Sequence, residues 1–282
     1  MDDPLVYLNG AMVPLSEARV PVLDRGFIFG DGIYEVIPVY GRRMFRPEQH
    51  LQRFFNGMAA VRIANPYSRQ QWLHLLNQVI RSHPLEDQSA YMQITRGVAP
   101  RTHAFPQGEP QPTVLIMSNP LVLPSPEARA HGVACVTMDD QRWLRCEIKS
   151  ISLLGNVLAA QHAADHGANE TIQFRDGALT EGSSSNVWIV KDGVLLGPPR
   201  DNLILEGIRY GLIEELCRAG QIPMQARRIA RAEVFGADEV LLSSAAKEVL
   251  AVVSVDGQPI GNGQPGPIYG KLYAAYQAAT RA

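Results

Sequence analysis

Residues 143–150 read WLRCEIKS, and this stretch presents one amine, that of Lys149. We expect a short strand over Cys146–Lys149, with the amine at its end. A helical stretch follows, and then residues 180–186, TEGSSSN, which combine a carboxylate with a hydroxyl-rich turn. A lysine at the end of a strand is most often a solvated surface charge. Its chemistry therefore has to be judged from the other segments of the chain.

An amine, a carboxylate and a phosphate cradle are the groups that pyridoxal phosphate chemistry requires. A lysine amine forms a Schiff base with the aldehyde of that cofactor, and an acid keeps the ring nitrogen protonated. Lys149 is the candidate amine and Glu181 is the candidate acid. The alternative for Glu181 is a loop carboxylate that caps N–H groups of the adjacent Ser/Gly turn.

Two turns have the composition of a phosphate cradle. Leu205–Arg209 opens a predicted helix and includes Ile208, and Ser243–Ala246 follows a predicted strand. Backbone N–H groups at a helix N-terminus bind phosphate readily. Arg53, on the first predicted helix, is the candidate cationic fork for the same phosphate, with an exposed helix position as its alternative.

A loop with two cationic donors is the candidate binding site for a carboxylate. It spans residues 96–106, RGVAPRTHAFP, and carries Arg101 and His103. A guanidinium binds a carboxylate through two parallel hydrogen bonds, which suits recognition of a substrate carboxylate. The alternative is a solvated loop arginine beside a surface histidine.

The pattern of elements predicts an α+β protein of two domains. Three prolines within residues 119–126 disfavour helix and central strand, so we place the boundary there. The predicted organisation is an N-terminal domain over 1–119, a Pro-rich linker over 120–131 and a cofactor-binding domain over 132–282. The predicted helices are 47–61, 70–81, 155–166, 207–219, 230–235 and a terminal helix from about 268; the predicted strands are 34–40, 90–96, 113–117, 133–138, 146–149, 170–174, 186–191, 194–196, 239–242 and 249–255.

Composition excludes several classes of partner. Hydrophobic residues make up 46% of the 282 positions, the net charge is −2 and no basic stripe is present, so we expect no nucleic acid partner. No apolar run approaches the roughly 20 residues of a membrane span. Three scattered cysteines indicate reduced thiols and a cytoplasmic location. His162 and His166 lack a third ligand, and we expect no metal.

Taken together, these segments resemble the fold type IV pyridoxal phosphate enzymes, and within them the D-amino acid aminotransferases. The resemblance spans nearly the whole chain. It implies a smaller N-terminal α/β sandwich domain and a larger C-terminal domain with a barrel-like sheet. The motifs that carry it are DRG (24–26), FGDGIYEV (29–36), TRG (95–97) with Pro100, Arg101 and His103, WLRCEIKS (143–150) and TEGSSSNV (180–187).

The resemblance also assigns roles around the cofactor. Lys149 matches the lysine that forms the Schiff base and moves the proton between the substrate carbon and the cofactor. Glu181 matches the glutamate on the ring nitrogen, and Arg53 matches the arginine that binds the phosphate. Leu205 matches a leucine that packs near the cofactor.

Three further residues match the substrate-binding groups of the D-amino acid enzymes. Tyr34, Arg101 and His103 fall on the residues that hold the substrate carboxylate. In that family the Arg-x-His loop reaches over from the partner subunit. The resemblance therefore implies a homodimer in which the loop crosses between subunits.

The chain departs from the family pattern in both phosphate turns. Where relatives have Gly-Ile-Thr or Gly-Val-Thr, this chain has Gly207-Ile208-Arg209, so the threonine hydroxyl is lost or replaced. Ala245 stands where relatives often have a hydroxyl, which leaves Ser244 and backbone N–H groups on that side.

The predicted function is transamination between a D-amino acid of the D-alanine type and 2-oxoglutarate, giving pyruvate and D-glutamate. Three alternatives share the fold: an L-branched-chain aminotransferase, an amine transaminase and an aminodeoxychorismate lyase. A non-catalytic cofactor-binding protein is a fourth. The Arg101-x-His103 loop favours the D-amino acid reaction over the three alternatives of the same fold, and the intact set of Lys149, Glu181 and Arg53 argues against the fourth.

Overall fold

The computed structural model describes residues 3–108 and 110–281, which form two compact units. The first unit contains residues 3–121, apart from 109, together with Ile148–Leu153. The second contains Val122–Glu147 and residues 154–281. The segment that bears Lys149 thus groups with the first unit, although the predicted division assigned all of 132–282 to the second domain. The domain boundaries proposed from sequence remain a prediction.

The first unit is an antiparallel sheet with helices packed against it. Helix α2 packs on β3, and α3 packs on β1, β5 and β6. The strand order is β2-β1-β6-β5-β3-β4. In chain order the elements are β1 (Leu5–Leu8), β2 (Ala11–Pro14), α1 (Arg25–Phe29), β3 (Gly32–Tyr40), β4 (Arg43–Met44), α2 (Pro47–Ala60), α3 (Arg69–Ser82), β5 (Gln88–Thr95) and β6 (Thr113–Pro120).

Side-chain alternation along β3 places a carboxylate in the core of this unit. Ile33 and Ile37 are buried in the cluster formed with the helices, and Glu35 lies between them on the same face of the strand. The rings of Phe54 and Trp72, from α2 and α3, meet edge to face there with centroids 5.3 Å apart. A carboxylate in such surroundings requires a charged or hydrogen-bonding partner.

The second unit is a mixed sheet covered by helices. Helix α5 packs on β7 and β8, and α8 packs on β13, β14 and α6. Its elements are α4 (Pro126–His131), β7 (Val133–Asp139), α5 (Leu154–Asp165), β8 (Glu170–Arg175), β9 (Ala178–Gly182), β10 (Asn186–Lys191), β11 (Val194–Gly197), α6 (Ile208–Ala219), β12 (Met224–Ala226), α7 (Arg231–Phe235), β13 (Glu239–Ser244), β14 (Glu248–Val255), β15 (Gln258–Pro259) and α8 (Pro267–Arg281).

The order of strands shows that this sheet is curled. Strands run β12-β11-β10-β13-β14-β7-β8-β9, so four strands lie between β10 and β9. At about 4.8 Å per strand, a flat sheet would separate β9 from β10 by roughly 24 Å. Only residues 183–185 connect the two strands, and that connection spans at most about 14 Å. The sheet therefore curls into a half-barrel, as the barrel-like prediction requires.

The predicted strand over Cys146–Lys149 is wrong. Residues 146–148 form a turn and a bend, Lys149 belongs to no regular element, and the neighbouring Ser150 makes an isolated bridge to Ile33. The backbone nitrogen of Cys146 donates to the carbonyl of Asn202 instead of to a neighbouring strand. Without a continuous strand partner, the local pattern of apolar residues could not form a strand.

Several elements were missed in the sequence. The β1–β2 hairpin turns at Asn9-Gly10, and both residues adopt the positive φ that makes this dipeptide a strong hairpin signal. Strand β9 contains Glu181, and no strand is predicted there from the sequence. Helix α4 lies in the predicted linker, where Ser125 caps it and Pro126 takes its first position, a site at which proline is tolerated.

Two kinds of feature are absent from the described residues. Within the described ranges, no helix combines the length and the apolar character needed to cross a membrane, and the longest has 15 residues. Over the same ranges, no group of three or more His, Cys, Asp or Glu side chains is arranged to hold a metal ion.

Candidate active site

Lys149 lies beside Tyr34 in the first unit. The backbone nitrogen of Tyr34 donates to the carbonyl of Lys149 at 3.0 Å. The lysine nitrogen is 4.0 Å from the centroid of the tyrosine ring, a cation–π distance. Because side chains alternate along β3, Tyr34 and Glu35 project from opposite faces of the strand. The amine therefore belongs to the face of β3 opposite the buried carboxylate.

Two glycines allow the Lys149 segment to approach β3. Gly30 adopts a φ of +66°, and a Cβ there would lie 2.5 Å from the Ser152 hydroxyl. A Cβ on Gly32 would lie 2.9 Å from the side chain of Ile151, which follows Lys149 in the same segment. The nitrogen of Ile151 donates to the carbonyl of Gly32 at 3.1 Å. The Gly-Asp-Gly motif is thus explained by close backbone packing around the candidate amine.

Arg53 is held by the buried Glu35. Its Nε and one terminal nitrogen donate to the two carboxylate oxygens at 2.8 and 2.7 Å. The Nδ1 atom of His50 is 3.1 Å from the same carboxylate. Burial would raise the pKa of Glu35, but Arg53 and His50 hold it well below its usual range. Sequence reasoning missed Glu35, whose signal is an acidic residue at an inward position of a strand.

The side chains of Arg101 and His103 lie against the same aromatic ring. The guanidinium carbon of Arg101 is 5.4 Å from the centroid of Phe29, and the His103 ring is 5.5 Å from it. Both residues are exposed. The first unit therefore presents a guanidinium and an imidazole side by side at the surface, in the loop that was predicted to bind a carboxylate.

Glu181 lies on strand β9 of the second unit and is buried, with 6% of its surface exposed. One carboxylate oxygen accepts hydrogen bonds from the backbone nitrogen of Leu205 at 3.0 Å and from the Asn186 amide at 3.2 Å. The other accepts from the guanidinium of Arg142. The hydrogen bond from its backbone nitrogen thus holds Leu205 beside the Glu181 carboxylate.

Arg142 is a buried cation that sequence reasoning missed. Its guanidinium forms a two-point ion pair with Asp140, at 2.9 and 2.8 Å, in addition to its contact with Glu181. Burial would lower the pKa of Arg142, but Asp140 and Glu181 raise it further above its ordinary value. The available signal was its place directly before the WLRCEIKS stretch.

The first phosphate turn begins helix α6. Gly207 is the residue before the helix, and a Cβ there would lie 2.3 Å from the Asn186 side-chain oxygen. Among the described residues, no side chain caps the N–H groups that start at Ile208. Arg209 is 2% exposed, and its Nε donates to the Tyr276 hydroxyl on α8 at 3.1 Å. Its guanidinium is therefore engaged with α8.

The second phosphate turn joins β13 to β14. The Ser244 hydroxyl accepts a hydrogen bond from the nitrogen of Lys247 at 3.0 Å, and Ala245 is half-buried. The amine of Lys247 forms an ion pair with Glu170, a residue with 1% of its surface exposed. Lys247 thus links this turn to a buried carboxylate.

Glu170 anchors the serine turn that follows Glu181. It accepts hydrogen bonds from the nitrogen of Ser183 and from the Ser185 hydroxyl at 2.9 and 2.8 Å. Burial would raise the pKa of Glu170, but Lys247 and these donors keep it below its ordinary value. This anchoring carboxylate was also missed, because its sequence context is that of an ordinary strand.

The donor sets of the two units fit pyridoxal phosphate. The first unit has an amine over an aromatic ring, and within the described ranges no carboxylate forms an ion pair with it. The second has a buried carboxylate of fixed orientation and a helix start without a side-chain cap, where a Cβ would not fit. Such a helix start suits a phosphate, and the carboxylate suits a protonated ring nitrogen.

Comparison with known proteins identifies the family. The family model for class IV amino-transferases matches residues 32–255. The chain is 39% identical over 272 residues to a D-alanine aminotransferase of Staphylococcus aureus (strain N315), covering 96% of each chain. It is 38% identical over 272 residues to the D-alanine aminotransferase of Bacillus licheniformis, covering 96% of this chain and 95% of the relative.

Solved structures show the same fold. The branched-chain amino acid aminotransferase of Escherichia coli matches with a TM-score of 0.93 and 27% identity, covering 98% of this chain and 94% of its own. The T.th. branched-chain amino acid aminotransferase with pyridoxamine 5′-phosphate matches with a TM-score of 0.92 and 25% identity, covering 99% and 95%. These matches confirm the predicted fold type IV architecture and the predicted family.

Replacing Glu35 with Gln removes the carboxylate that pairs with Arg53. Because the pKa of Glu35 lies below its ordinary value in the folded state, its stabilising effect is full above about pH 4.5 and is lost as the pH falls. We expect E35Q to lower the free energy of unfolding at neutral pH by about 3 kcal/mol. We also expect the Tm of the variant to fall less steeply than that of the parent below about pH 5.

Urea unfolding and thermal melts at a series of pH values measure both effects. The control is Glu48→Gln, which removes a carboxylate with 59% side-chain exposure on the helix that bears Arg53. Such a surface pair contributes about 0–1 kcal/mol. An E35Q protein as stable as the E48Q protein would contradict the central role of the buried pair.

Proposed function

We propose that this chain, which belongs to the class IV aminotransferase family, is a pyridoxal phosphate-dependent D-amino acid transaminase. It exchanges the amino group between a D-amino acid of the D-alanine type and 2-oxoglutarate, giving pyruvate and D-glutamate. The observation that carries this proposal is the identity of 36 and 39% to curated D-alanine aminotransferases over 96% of the chain.

Lys149 provides the amine for the reaction. When bound, pyridoxal phosphate supplies an aldehyde that carries the amino group and a ring that stabilises negative charge at the substrate carbon. The Lys149 nitrogen attaches the cofactor between turnovers and moves the proton at the α-carbon of the substrate. Tyr34, whose ring centroid lies 4.0 Å from the nitrogen, holds the amine in place.

Glu181 binds the ring nitrogen in this proposal. Its carboxylate is oriented by the Arg142 guanidinium, the Asn186 amide and the nitrogen of Leu205. An acceptor fixed in this way keeps a proton on the ring nitrogen and so strengthens the ring as an electron sink.

The phosphate is held by backbone N–H groups and by a cation. The N–H groups at Ile208 and Arg209 begin helix α6, where the helix dipole favours an anion. Ser244 and the nitrogen of Ala245 form the second turn, and Arg53 contributes the positive charge. The ion pair with Glu35 orients the Arg53 guanidinium for this task.

Tyr34, Arg101 and His103 hold the carboxylate of the substrate. The exposed positions of Arg101 and His103, side by side on Phe29, support this assignment. Two cationic donors fix both the position and the orientation of a carboxylate. Fixing that group relative to the amine decides which face of the α-carbon is presented, and hence the preference for D-amino acids.

An L-branched-chain aminotransferase is the second candidate. The solved structures described above are branched-chain enzymes with 25 and 27% identity to this chain. The curated D-alanine enzymes reach 36 to 39% identity over a similar share of the chain. The greater sequence identity favours the D-amino acid reaction.

The active form is a homodimer in which the Arg101-x-His103 loop serves the partner subunit. Its support is a group of exposed apolar side chains beside that loop, here called the apolar patch: Val20, Val22, Leu23, Phe27, Val98 and Phe105. Val22 and Phe27 are 74 and 77% exposed. The backbone nitrogen of Ala99 donates to the carbonyl of Leu23 at 3.3 Å, which joins the segment of Leu23 to the loop. Exposed apolar patches mark interaction surfaces.

The cytoplasm is the proposed location, and small-molecule amino and 2-oxo acids are the proposed partners. Cys135, Cys146 and Cys217 are all free thiols and all buried. Burial raises the pKa of Cys146 and Cys217 to about 11, so both are poor nucleophiles at neutral pH. Free cysteines without a disulfide pattern are typical of a reducing compartment.

The first test of the proposed function is a half-reaction. The protein loaded with pyridoxal phosphate is mixed with D-alanine or with L-leucine, and the visible absorbance of the cofactor is followed. We expect D-alanine to bleach it and L-leucine to leave it unchanged. Lys149→Ala should lower the rate by about 100-fold or more, because it removes the proton-transfer group. Lys191→Ala, which removes an exposed lysine, is the control.

The outcomes of this experiment separate the two candidates. Bleaching by L-leucine alone would assign the chain to the branched-chain reaction. Full activity of the Lys149→Ala protein would remove Lys149 from the mechanism, whichever substrate reacts.

The carboxylate assignment predicts a specific defect in Arg101→Ala. We expect the KM for D-alanine to rise about 10- to 100-fold, because a charge-assisted pair contributes roughly 1.5–3 kcal/mol. The affinity for pyridoxal phosphate, measured by absorbance titration, should change little. Arg81→Ala, at an exposed position on α3, is the control. An unchanged KM for D-alanine would remove Arg101 from the substrate site.

A loop that crosses between subunits can be tested by complementation. Lys149→Ala and Arg101→Ala subunits are unfolded together and refolded as a mixture. In a two-fold dimer with crossing loops, about half of the randomly paired dimers contain one subunit of each variant, and each of these has one site with both Lys149 and Arg101. About a quarter of all sites are then intact, and they are active at low D-alanine concentration. Loops acting within their own subunit would give no recovery. Sedimentation should also show a dimer of the 31.0 kDa chain, which Phe27→Asp dissociates.

A further inference from the structure

Arg25, in the motif Asp24-Arg25-Gly26, is a buried cation with no part in the chemistry described so far. Only 3% of its surface is exposed. Asp24 caps the short helix α1 by accepting from the nitrogen of Gly26 at 2.8 Å, which fixes the backbone at Arg25. A buried guanidinium is stable only when its donors are satisfied. The partners of Arg25 therefore show what it does.

The guanidinium of Arg25 binds the backbone of the predicted carboxylate loop. One terminal nitrogen donates to the carbonyl of Thr102 at 2.6 Å and to that of Ala104 at 3.4 Å. The other donates to the carbonyl of His103 at 3.4 Å. The Nε atom donates to Asp31 at 2.7 Å. One side chain thus ties three consecutive loop carbonyls to the residue between the two glycines of the Gly-Asp-Gly motif.

Asp31 has a second cationic partner. Arg96 donates to its two oxygens at 2.8 and 2.9 Å, and also to the carbonyls of Arg62 and Val61. Burial would raise the pKa of Asp31, but Arg96 and Arg25 hold it below its ordinary value. The carboxylate therefore keeps a two-point partner if Arg25 is removed. Among the described residues, the carbonyls of residues 102–104 have no second partner of this kind, because Arg96 donates to the carbonyls of Val61 and Arg62 and not to them.

Phe29 connects the same cation to the side chains of the loop. The Arg25 guanidinium carbon lies 4.8 Å from the centroid of the Phe29 ring. The side chains of Arg101 and His103 lie against that ring as well. Arg25 thus contacts the backbone of the loop directly. It also contacts the Phe29 ring, against which the side chains of Arg101 and His103 lie.

We propose that Arg25 is the positioning residue of the Arg101-x-His103 loop and thereby sets the affinity of the enzyme for the substrate carboxylate. This inference rests on the proposed function of that loop. Arg25 acts on the loop of its own chain, whichever subunit the loop serves. Residues 101–105 are exposed, and the guanidinium groups of Arg96 and Arg62 lie over the ring of Phe105 at its end, 3.7 and 4.5 Å from the ring centroid. Arg25 is the side chain that binds the carbonyls of residues 102–104. A misplacement of about 1 Å in a binding group costs up to 100-fold in rate.

The geometry requires arginine at this position. A guanidinium presents five donors in a rigid planar fork, and here the fork reaches a carboxylate and three carbonyls at once. A lysine at the same position has a single compact charge. It would keep the ion pair with Asp31 but would lose most of the loop contacts.

Two variants test the inference. Arg25→Met removes the charge, and Arg25→Lys keeps it without the fork. We expect both to raise the KM for D-alanine by about tenfold or more, with a smaller change in kcat. The inhibition constant of D-lactate, which carries the carboxylate without an amine, should rise in parallel. The affinity for pyridoxal phosphate, measured by absorbance titration, should stay within about twofold, because Arg25 acts through the loop.

The matched control is Arg129→Met in the second unit. Arg129 also supports the backbone, donating to the carbonyl of Pro124 at 3.0 Å and pairing with Glu248. It is partly buried, as a guanidinium with a structural task should be. We expect Arg129→Met to lower Tm without raising the KM for D-alanine. If Arg25→Met does not fold, Arg25→Lys alone carries the comparison.

The double variant Arg25→Met/Arg101→Ala shows whether Arg25 acts through the loop. Its KM should rise by clearly less than the product of the two single effects, because Arg101 is one of the two groups that Arg25 positions. Fully multiplicative effects would overturn the inference. The inference would also be overturned if both Arg25 variants kept the KM of the parent while Arg101→Ala raised the KM. That outcome would leave the proposed function intact. If Arg101→Ala also leaves KM unchanged, the assignment of the loop fails first and the inference with it.

Discussion

The hydrogen bond from the nitrogen of Tyr34 to the carbonyl of Lys149 is the constraint on which the first unit's site depends. It fixes the backbone of a segment that has no continuous strand partner, and it brings the amine over the tyrosine ring. The approach is possible only because Gly30 and Gly32 have no Cβ. Strand alternation then sends Glu35 to the other face, into the core. One short motif therefore determines both the position of the amine and the presence of a buried charge.

Buried ion pairs recur behind the candidate site residues in both units. Removing one partner of such a pair leaves an uncompensated charge, so each pair tolerates only a narrow set of conformations. The buried ion pairs therefore fix the orientation of the side chains that they join more than they add to the net stability of the fold. The pairs are Glu35 with Arg53, Asp31 with Arg25 and Arg96, Asp140 and Glu181 with Arg142, and Glu170 with Lys247.

The sequence allowed most elements of the fold to be predicted, because helix α2, helix α3 and the long strands have clear periodicity or turn signals. It failed over Cys146–Lys149, where the conformation depends on contacts with distant segments. The site residues were proposed from motifs whose residues carry recognisable chemistry. Arg25, Arg142 and Glu170 were missed because their partners are backbone carbonyls or side chains far along the chain, and no local pattern records those contacts.

The two departures from the family pattern have different structural settings. Arg209 takes the place of a small hydroxyl residue, yet its guanidinium is buried and engaged with Tyr276 on α8. In the proposed cofactor site, the start of α6 would therefore offer a phosphate its backbone N–H groups. At the second turn, Ala245 supplies no hydroxyl, but Lys247 joins the turn to Glu170. Glu170 also accepts hydrogen bonds from the serine turn at residues 183–185. The turn at Ala245 therefore lacks a side-chain donor, but its shape is stabilised by the ion pair between Lys247 and this buried carboxylate.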